Sequence, residues 1–453
     1  MLAFHLHGEP PEYEGLAESL FQLYRTRTAQ CLLSGDISKC SPYTLEALRL
    51  NATAELNRKD DNRRGLWMMT GLVVRAAVNM GYHRDPEKVN GISPLQAEYR
   101  RRVWLSIITM DTMASFLAGL PRMTASIHSD NKEPLNVHES ELSEGMTCLP
   151  PSRPLEHDTP ATYLIVKGRL FHALGRIADF HSSFATSSYG QVLDIDRALS
   201  DTLTSFPQQM KVSPGDIRNA PLKRPDLLSS LNMTLMYHRG MCMLHSRFQA
   251  KAAADRRFQL SRDRCVSSAL EIVGFQGEIW PAAYQFSLTR QLLILAAMVL
   301  LLELELLRAA ASSSSSAAYK GGMVLTQSEA FLAMERSCRL WEAAVAVYGE
   351  AAKVLRFLES KLASFRAMED GHVQSSSSET LSETPAMIPL FNLQGNDQGR
   401  QLDFGDQMTS MEIDPSWVSY ENLSQTTATC QANHRQPMWD SFVKDVDFGF
   451  GMA

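Results

Sequence analysis

Apolar side chains recur every three or four residues along most of the first 365 residues of this 453-residue chain. Such spacing places them on one face of an α-helix, whereas half-buried strands alternate apolar and polar residues, and that alternation is hard to find here. The length exceeds one ordinary core and indicates two or three structural units. We therefore expect an all-α, irregular multi-helix body.

Two helices are marked by residues that favour helix ends. One spans Gly65 to Met80, with Gly81 after it as a C-terminal cap. The next begins at the capping box of Ser93 and ends at Gly119. We expect the two helices to pack together through their apolar stripes. The stripe of the second helix consists of Leu95, Tyr99, Val103, Ile107, Met110, Ala114 and Leu117.

Proline and acidic residues dominate 121–160, which predicts a long surface excursion rather than a helix. The Ala/Ser run at 309–318 has nothing to bury and predicts a flexible insertion. The other helices predicted after the excursion are Leu164–Phe180, Leu193–Phe206, Leu227–Phe248, Arg262–Ile279, Tyr284–Arg308 and Ser328–Ala367.

Negative charge is concentrated at the C-terminal end. The chain carries −6, but residues 371–453 hold eleven acids and three bases, a charge of −8, which leaves +2 for the rest. This segment is also rich in Ser, Gln and Gly and is predicted to be a disordered acidic tail. The net charge gives no whole-chain attraction to phosphate or to anionic lipid.

The seven cysteines include no Cys-x2-Cys pair, which predicts reduced, buried thiols rather than a disulfide framework or a zinc site. His5 and His7 lack a third ligand, so no metal site is predicted. The apolar run from Leu292 to Leu302 is shorter than the ~18 residues that cross a bilayer and is expected to form a buried helix.

His83, Arg84, Asp85 and Asn90 fit the H-R-D-x4-N spacing of a kinase catalytic loop. No glycine-rich loop precedes them, and both Asp-Phe-Gly triplets lie more than 300 residues downstream. We expect this run instead to fold back onto helix ends before Pro86. The common nucleophile, nucleotide and zinc-hydrolase signatures are also missing, so the chain is predicted not to be an enzyme, with no catalytic residue and no cofactor.

The triplet Arg100–Arg102 resembles a phosphate-binding patch, but consecutive helical residues point about 100° apart, so a structural role is expected. Asp111 shares a helix face with Trp104, which places a carboxylate at the edge of the core. Such a group needs a partner, and Arg84 or Arg122 is the predicted one. A catalytic acid is the alternative, but no second carboxylate or nucleophile accompanies it.

The segments Ala76–Pro86, Arg100–Trp104 and Asp111–Pro121 resemble, in order and spacing, the middle homology region of fungal binuclear zinc cluster transcription factors. Leu105 stands where a second tryptophan is common, and Leu120 interrupts the usual Gly-Arg-Pro. The specific match covers about 60–165, with looser helical similarity to about 365. The signature residues that carry it, with structural roles expected, are Gly81, His83, Arg84, Asp85, Pro86, Arg101, Arg102, Trp104, Asp111, Gly119 and Pro121.

The resemblance implies an all-helical regulatory domain, which in the family normally follows a zinc cluster whose helix reads DNA. This sequence contains no such cluster, so zinc is expected only with an upstream module and no DNA contact is assigned. Either the chain is an N-terminally shortened regulator or it acts without touching DNA itself. The predicted domains are an N-terminal helical segment at 1–59, the signature region at 60–165, a helical continuation at 166–368 and the tail at 369–453.

The resemblance also implies a nuclear regulator of RNA polymerase II transcription, controlling a gene set such as a secondary-metabolite cluster. The expected partners are the transcription machinery or a coactivator. A DNA-bound protein, or a second copy of the chain in a homodimer, is also an expected partner, whereas no membrane contact is expected. A helical cytosolic binding protein or regulatory subunit is the alternative. Aromatics interleave with acids near the C-terminus as in activation segments, and the candidates are Trp439, Phe442, Phe448 and Phe450.

Overall fold

The computed structural model describes residues 11–58, 62–183, 188–219, 225–279, 287–312, 327–346 and 348–371. Within these ranges the chain forms α-helices, short 3-10 turns and irregular segments, and no strand, so the all-α prediction is confirmed. None of the helices in these ranges combines the length and the apolarity needed to cross a membrane. The tail is predicted to start at residue 369, but residues 369–371 belong to the last helix. The rest of the tail, with its aromatic candidates, and the His5–His7 pair lie outside the described residues.

The helices are numbered here in chain order. The first six are α1 (Ala17–Ser34), α2 (Thr44–Leu56), α3 (Arg63–Asn79), α4 (Pro94–Ala118), α5 (Pro160–Ser182) and α6 (Tyr189–Thr204). The other six are α7 (Pro214–Asn219), α8 (Pro225–Gln249), α9 (Gln259–Gln276), α10 (Ser287–Ser312), α11 (Gln327–Val345) and α12 (Gly349–Gly371).

The predicted ends of α3 and α4 are confirmed. Gly81 follows α3 with a φ of 73°, in the left-handed region that a glycine adopts at no steric cost. The hydroxyl of Ser93 accepts the amide of Gln96, whose side chain accepts the amide of Ser93 in return. Gly119, with a φ of 67°, ends α4. The two helices pack together as expected, because both contribute side chains to one buried cluster.

Three clusters of buried apolar side chains form the interior. The first joins α1 to α4, the second joins α4, α5, α6, α8 and the start of α10, and the third joins α7 to α12. Helices α4, α8 and α10 each contribute to two clusters. Val103 and Ile107 of α4 face the first cluster while Phe116 faces the second, so α4 links the two.

Helix α4 is buried on almost every side, not only along its predicted apolar stripe. Polar and charged residues such as Glu98, Arg101 and Asp111 are as buried as Ile107. The reason is its position, because α3 packs on one side and α5 on the other. A buried charge must be paired or hydrogen-bonded, so α4 concentrates the polar contacts described below.

The excursion at 121–160 contains no α-helix before Pro160, as predicted, but part of it is buried rather than on the surface. Asn136 is 1% exposed and Val137 fully buried. The side-chain amide of Asn136 donates to the carbonyl oxygens of Pro154 and His157, and its oxygen accepts the hydroxyl of Thr159 at the start of α5. This one side chain ties the loop to itself and to α5.

The last predicted helix, Ser328–Ala367, is instead two helices, because α11 ends at Val345 and α12 begins at Gly349. β-branched residues and glycine at this point disfavour a continuous helix. Trp341 and Leu358, one from each helix, then reach the same buried cluster. At the predicted Ala/Ser insertion, residues 309–312 belong to α10 and the remainder lies outside the described residues.

Candidate functional site

The signature residues gather around the turn between α3 and α4. The amide of Gly81 donates to the carbonyl oxygen of Val78 and that of Tyr82 to Ala77, which is the paired bonding of a Schellman cap. The cap reverses the chain and directs residues 83–89, called the signature turn below, along the first half of α4. Arg100 of α4 closes the cap: its guanidinium lies over the Tyr82 ring, 4.4 Å from the centroid, and donates to the Met80 carbonyl oxygen.

Asp85 is the most buried acid of the signature turn, at 1% exposed. Its carboxylate accepts the Arg101 guanidinium at 3.0 Å and the amide of Glu87 at 3.1 Å, just before Pro86 starts a 3-10 turn. The same Arg101 contacts Glu87 at 2.6 Å, and Lys132 contacts Glu87 at 2.5 Å. These four charged side chains, Asp85, Glu87, Arg101 and Lys132, are called the signature cluster below.

The signature cluster changes the pKa of Glu87, its half-exposed carboxylate. Bonds from Lys132 and Arg101 lower the pKa of Glu87 to about 2, because both cations favour the ionised carboxylate. Asp85 itself has no room for a substrate hydroxyl, since Arg101 and a backbone amide occupy its oxygen. The kinase-like spacing therefore marks a buried ion pair between a turn and a helix, not a catalytic loop.

The hydroxyl of Ser129 connects two further signature residues, Trp104 and His83. The Trp104 indole donates to Ser129 Oγ at 2.9 Å, and that hydroxyl donates to the His83 carbonyl oxygen at 2.8 Å. The ring centroids of His83 and Trp104 are 6.2 Å apart. Arg84, next along the turn, is exposed. The loop after α4 thus supplies the group that connects the turn to the helix.

The arginine triplet leaves α4 in three directions. Arg100 reaches the cap of α3 and Arg101 the signature turn, as described above. Arg102 donates to Glu98 one turn earlier on α4 at 2.9 Å, and Glu98 also accepts the amide of Leu135. Burial raises the pKa of Glu98, and Arg102 opposes that effect. No common surface for a phosphate arises from these three side chains.

Neither predicted arginine, Arg84 or Arg122, forms an ion pair with Asp111. The fully buried carboxylate of Asp111 accepts the amides of Met123 and Thr124, at 3.3 and 2.7 Å, and the Thr124 hydroxyl at 2.7 Å. Burial raises the pKa of Asp111, against the lowering effect of these donors and of the nearby charge of Arg122. Sequence spacing does not reveal this contact, because the donors belong to an irregular loop rather than to a helix face.

Arg122 contacts α5 instead. Its Nε donates to Asp179 at 2.9 Å. A Cβ at Gly175 would lie 2.7 Å from the Arg122 guanidinium, so the glycine leaves room for the arginine to cross α5. At the end of the signature, the Pro121 carbonyl oxygen accepts the Trp67 indole and the Ser115 hydroxyl, which fixes the chain after Gly119.

Taken together, the signature residues join α3, α4 and the following loop through buried ion pairs and hydrogen bonds. Sequence reasoning missed the loop residues that complete the site, which are Thr124, Ser129, Lys132 and Asn136. Their only sequence signal is their polar character within a stretch without periodicity. No group of three or more His, Cys, Asp or Glu side chains suited to a metal occurs in the described ranges, so these residues do not fit a zinc cluster.

A surface cleft of about 340 Å3 lies beside the site, between the loop 133–156 and α5. Two arginines line it, and each already holds a carboxylate: Arg169 contacts Glu133 and Arg153 contacts Glu141, both at 2.7 Å. Ile165 supplies an apolar wall. Both arginines are therefore already paired, and the lining also contains the exposed carboxylate of Glu156.

Residues 1–150 match the family described as the fungal specific transcription factor domain. The matched range contains the signature residues and supports their resemblance to the middle homology region of fungal zinc cluster factors. No solved structure matches the chain.

Several curated fungal proteins are similar over a longer stretch. The Zn(2)-C6 fungal-type transcription factor pigI of Monascus ruber is 39% identical over 57% of this chain and 32% of its own length. The pyrrolocin cluster transcription factor fsdR of a fungal species is 31% identical over 60% of the chain and 35% of its own length. The fusarisetin A cluster transcription factor fsa6 of a Fusarium species is 27% identical over 89% and 54%. The chain thus spans about a third to a half of these relatives.

Proposed function

We propose that this chain, whose residues 1–150 form a fungal specific transcription factor domain, is the regulatory part of a regulator of RNA polymerase II transcription. Its proposed targets are the genes of a secondary-metabolite cluster, and its proposed place of action is the nucleus. The single observation that carries the proposal is the match of the family to the helices that hold the signature cluster. Two of the relatives cited above are named for metabolite clusters, which supports the choice of gene set.

No enzymatic role is proposed. In the described ranges the buried acids of the signature region, Asp85, Glu98 and Asp111, all hold internal donors. The helical body is proposed instead to receive a signal or a partner. Contact with DNA is proposed to come from a zinc cluster joined to this domain or from a DNA-bound partner protein, with zinc as that cluster's cofactor.

The acidic tail is proposed to recruit transcription machinery or a coactivator. Acids keep the aromatic residues Trp439, Phe442, Phe448 and Phe450 solvated until an apolar groove binds them. Fused to a foreign DNA-binding domain, residues 371–453 should activate a reporter. A fusion with the four aromatics changed to alanine keeps the charge and should be inactive. An inactive wild-type fusion would remove the activation claim.

Deletion of the gene tests the function as a whole. We expect transcripts of one linked set of biosynthetic genes to fall or rise together, and the wild-type chain to restore them. Tagged protein should accumulate in the nucleus. Unchanged transcripts together with a cytosolic signal would instead favour the alternative, a helical cytosolic binding protein or regulatory subunit.

A further inference from the structure

Helices α8 and α9 pack against each other along a seam of small and polar side chains, far along the chain from the signature cluster. Ser261 and Cys265, one turn apart on α9, are both fully buried, as are Cys242 and His245 on α8. His245 Nδ1 lies 2.9 Å from Ser261 Oγ. The pairs His245–Ser261 and Cys242–Cys265 run in opposite directions along the two helices, so the seam is antiparallel and in fixed register.

The register is held by further contacts. His245 Nε2 lies 3.1 Å from Asp196 of α6, and the Tyr189 hydroxyl lies 2.9 Å from Ser261 Oγ. These hydrogen bonds fix the two helices one turn away from the cysteines. Small side chains along α9 allow the helices to approach closely at this point.

The two thiols face each other across the seam. The Cys242 thiol donates to the Cys265 carbonyl oxygen at 3.7 Å, and the Cys265 thiol donates to the Cys242 carbonyl oxygen at 3.8 Å. Each sulfur therefore reaches the partner's backbone, and the thiols are also neighbours of each other. A disulfide needs this kind of close approach between two backbones.

We propose that Cys242 and Cys265 are an oxidation site, at which a peroxide converts the two thiols to a disulfide that joins α8 to α9. In the first step a thiolate attacks hydrogen peroxide, the O–O bond breaks, and a sulfenic acid forms, while the leaving hydroxide takes up the proton that the thiol released and becomes water. In the second step the other thiol attacks the sulfenic sulfur, the S–S bond forms, and a second water leaves. The two sulfurs together lose two electrons, and the peroxide gains them.

Burial controls the rate of this reaction. Contact with Cys242 and burial raise the pKa of the Cys265 thiol, so the reactive thiolate is scarce in the closed seam. The first step must wait until α8 and α9 separate for a moment. Exposed Cys31 and Cys148 need no such opening and should react with peroxide first. The amount of disulfide formed under sustained oxidant therefore reports how often α8 and α9 separate.

Neither cysteine lies within residues 1–150, so the inference does not depend on the proposed role in transcription. The disulfide would affect the stability of the helical body. A bond between positions 23 apart constrains the unfolded chain and holds the α8–α9 seam closed. The oxidised body should therefore unfold at a temperature several degrees above that of the reduced body.

The experiment exposes the full-length protein to hydrogen peroxide, blocks the remaining thiols under denaturing conditions and maps the peptides without reduction. We expect a linked pair of peptides that contains Cys242 and Cys265, formed several-fold more slowly than the oxidation of Cys31. The azo oxidant diamide should give the same pair. Recovery of both Cys242 and Cys265 as free thiols after an exposure many times longer than the complete oxidation of Cys31 and Cys148 requires would overturn the proposal, as would bonds to other cysteines.

Two variants sharpen the result. Cys242→Ser should abolish the linked pair and the rise in unfolding temperature. Cys338→Ser removes another buried thiol and is the matched control, which should keep both. The peptide map of the wild-type protein decides the question even where a variant folds poorly.

Discussion

At the scale of single residues, the signature consists of buried charges whose partners lie on different segments. Arg101 and Asp85 are 2% and 1% exposed, and the side chains that bind them come from a turn, a helix and a loop. Buried ions carry a large desolvation cost, which only their partners offset. Substitutions at these residues should therefore lower the stability of the domain rather than alter a binding surface.

Arg101→Ala leaves the buried carboxylate of Asp85 without its cation. We expect the free energy of unfolding to fall by about 3 to 5 kcal/mol, measured by chemical denaturation. Lys132→Ala removes a 61% exposed cation from the same cluster and is the matched control, with an expected loss below about 1 kcal/mol. Equal losses in the two variants would contradict the assignment of Arg101 as the central cation.

Asp111→Ala removes the acceptor of three donors. The amides of Met123 and Thr124 would lose their partner, and we expect a loss of about 1 to 3 kcal/mol in unfolding free energy. Asp111→Asn keeps one acceptor oxygen and should lose less. Thermal unfolding of the two variants measures the difference, and midpoints equal to that of the wild type would show that the loop after α4 does not depend on this carboxylate.

The signature cluster also predicts a pH dependence. The pKa of Glu87 is about 2 in the folded chain and ordinarily 4.5, so the unfolded chain binds its proton more tightly. The stability that Glu87 contributes is therefore complete above pH 4.5 and is lost as the pH falls towards 2. Glu87→Gln should reduce the stability at pH 6 and match the wild type near pH 2.

Denaturation across this range measures both proteins. Glu144→Gln removes an exposed carboxylate that makes no ion pair in the described ranges, and it serves as the control. A constant gap between wild type and Glu87→Gln from pH 6 to pH 2 would exclude the ion pairs as its cause.

At the scale of elements, the ends of helices could be predicted from the sequence, but the segments that pack around each helix could not. The Ser93 capping box and the Gly81 cap depend on local residues alone, so sequence identifies them directly. The break between α11 and α12 has a local signal in Val345 and Gly349 that the prediction overlooked, whereas the burial of α4 on almost every side and the donors to Asp111 depend on which segments meet in space. A single sequence carries no record of those meetings, and for this reason the loop half of the site was missed.

Close contact between helices gives a test at this scale. A Cβ at Gly240 of α8 would lie 2.5 Å from Leu174 Cδ2 of α5, and Leu174 is fully buried. Gly240→Ala should therefore destabilise the body by about 1 to 3 kcal/mol, in spite of the better helix propensity of alanine. Gly190→Ala in α6 has its nearest neighbour at 3.6 Å and should be neutral or slightly stabilising. The reverse order in thermal unfolding would show that α5 and α8 do not approach this closely.

At the scale of the whole molecule, two kinds of segment stand side by side in the sequence. The helical body carries the family signature, whereas residues 371–453 carry a net charge of −8 and the aromatic candidates. This division suits a regulator in which one part senses or assembles and the other recruits.

Chromatin immunoprecipitation of the tagged full-length protein in its host tests the central claim most directly. Crosslinking captures contact with DNA whether it is made by an attached zinc cluster or by a partner protein. We predict enrichment at promoters within one biosynthetic gene cluster, weakened in the destabilised Arg101→Ala variant. Uniform background across the genome, with the protein present and folded, would contradict the account.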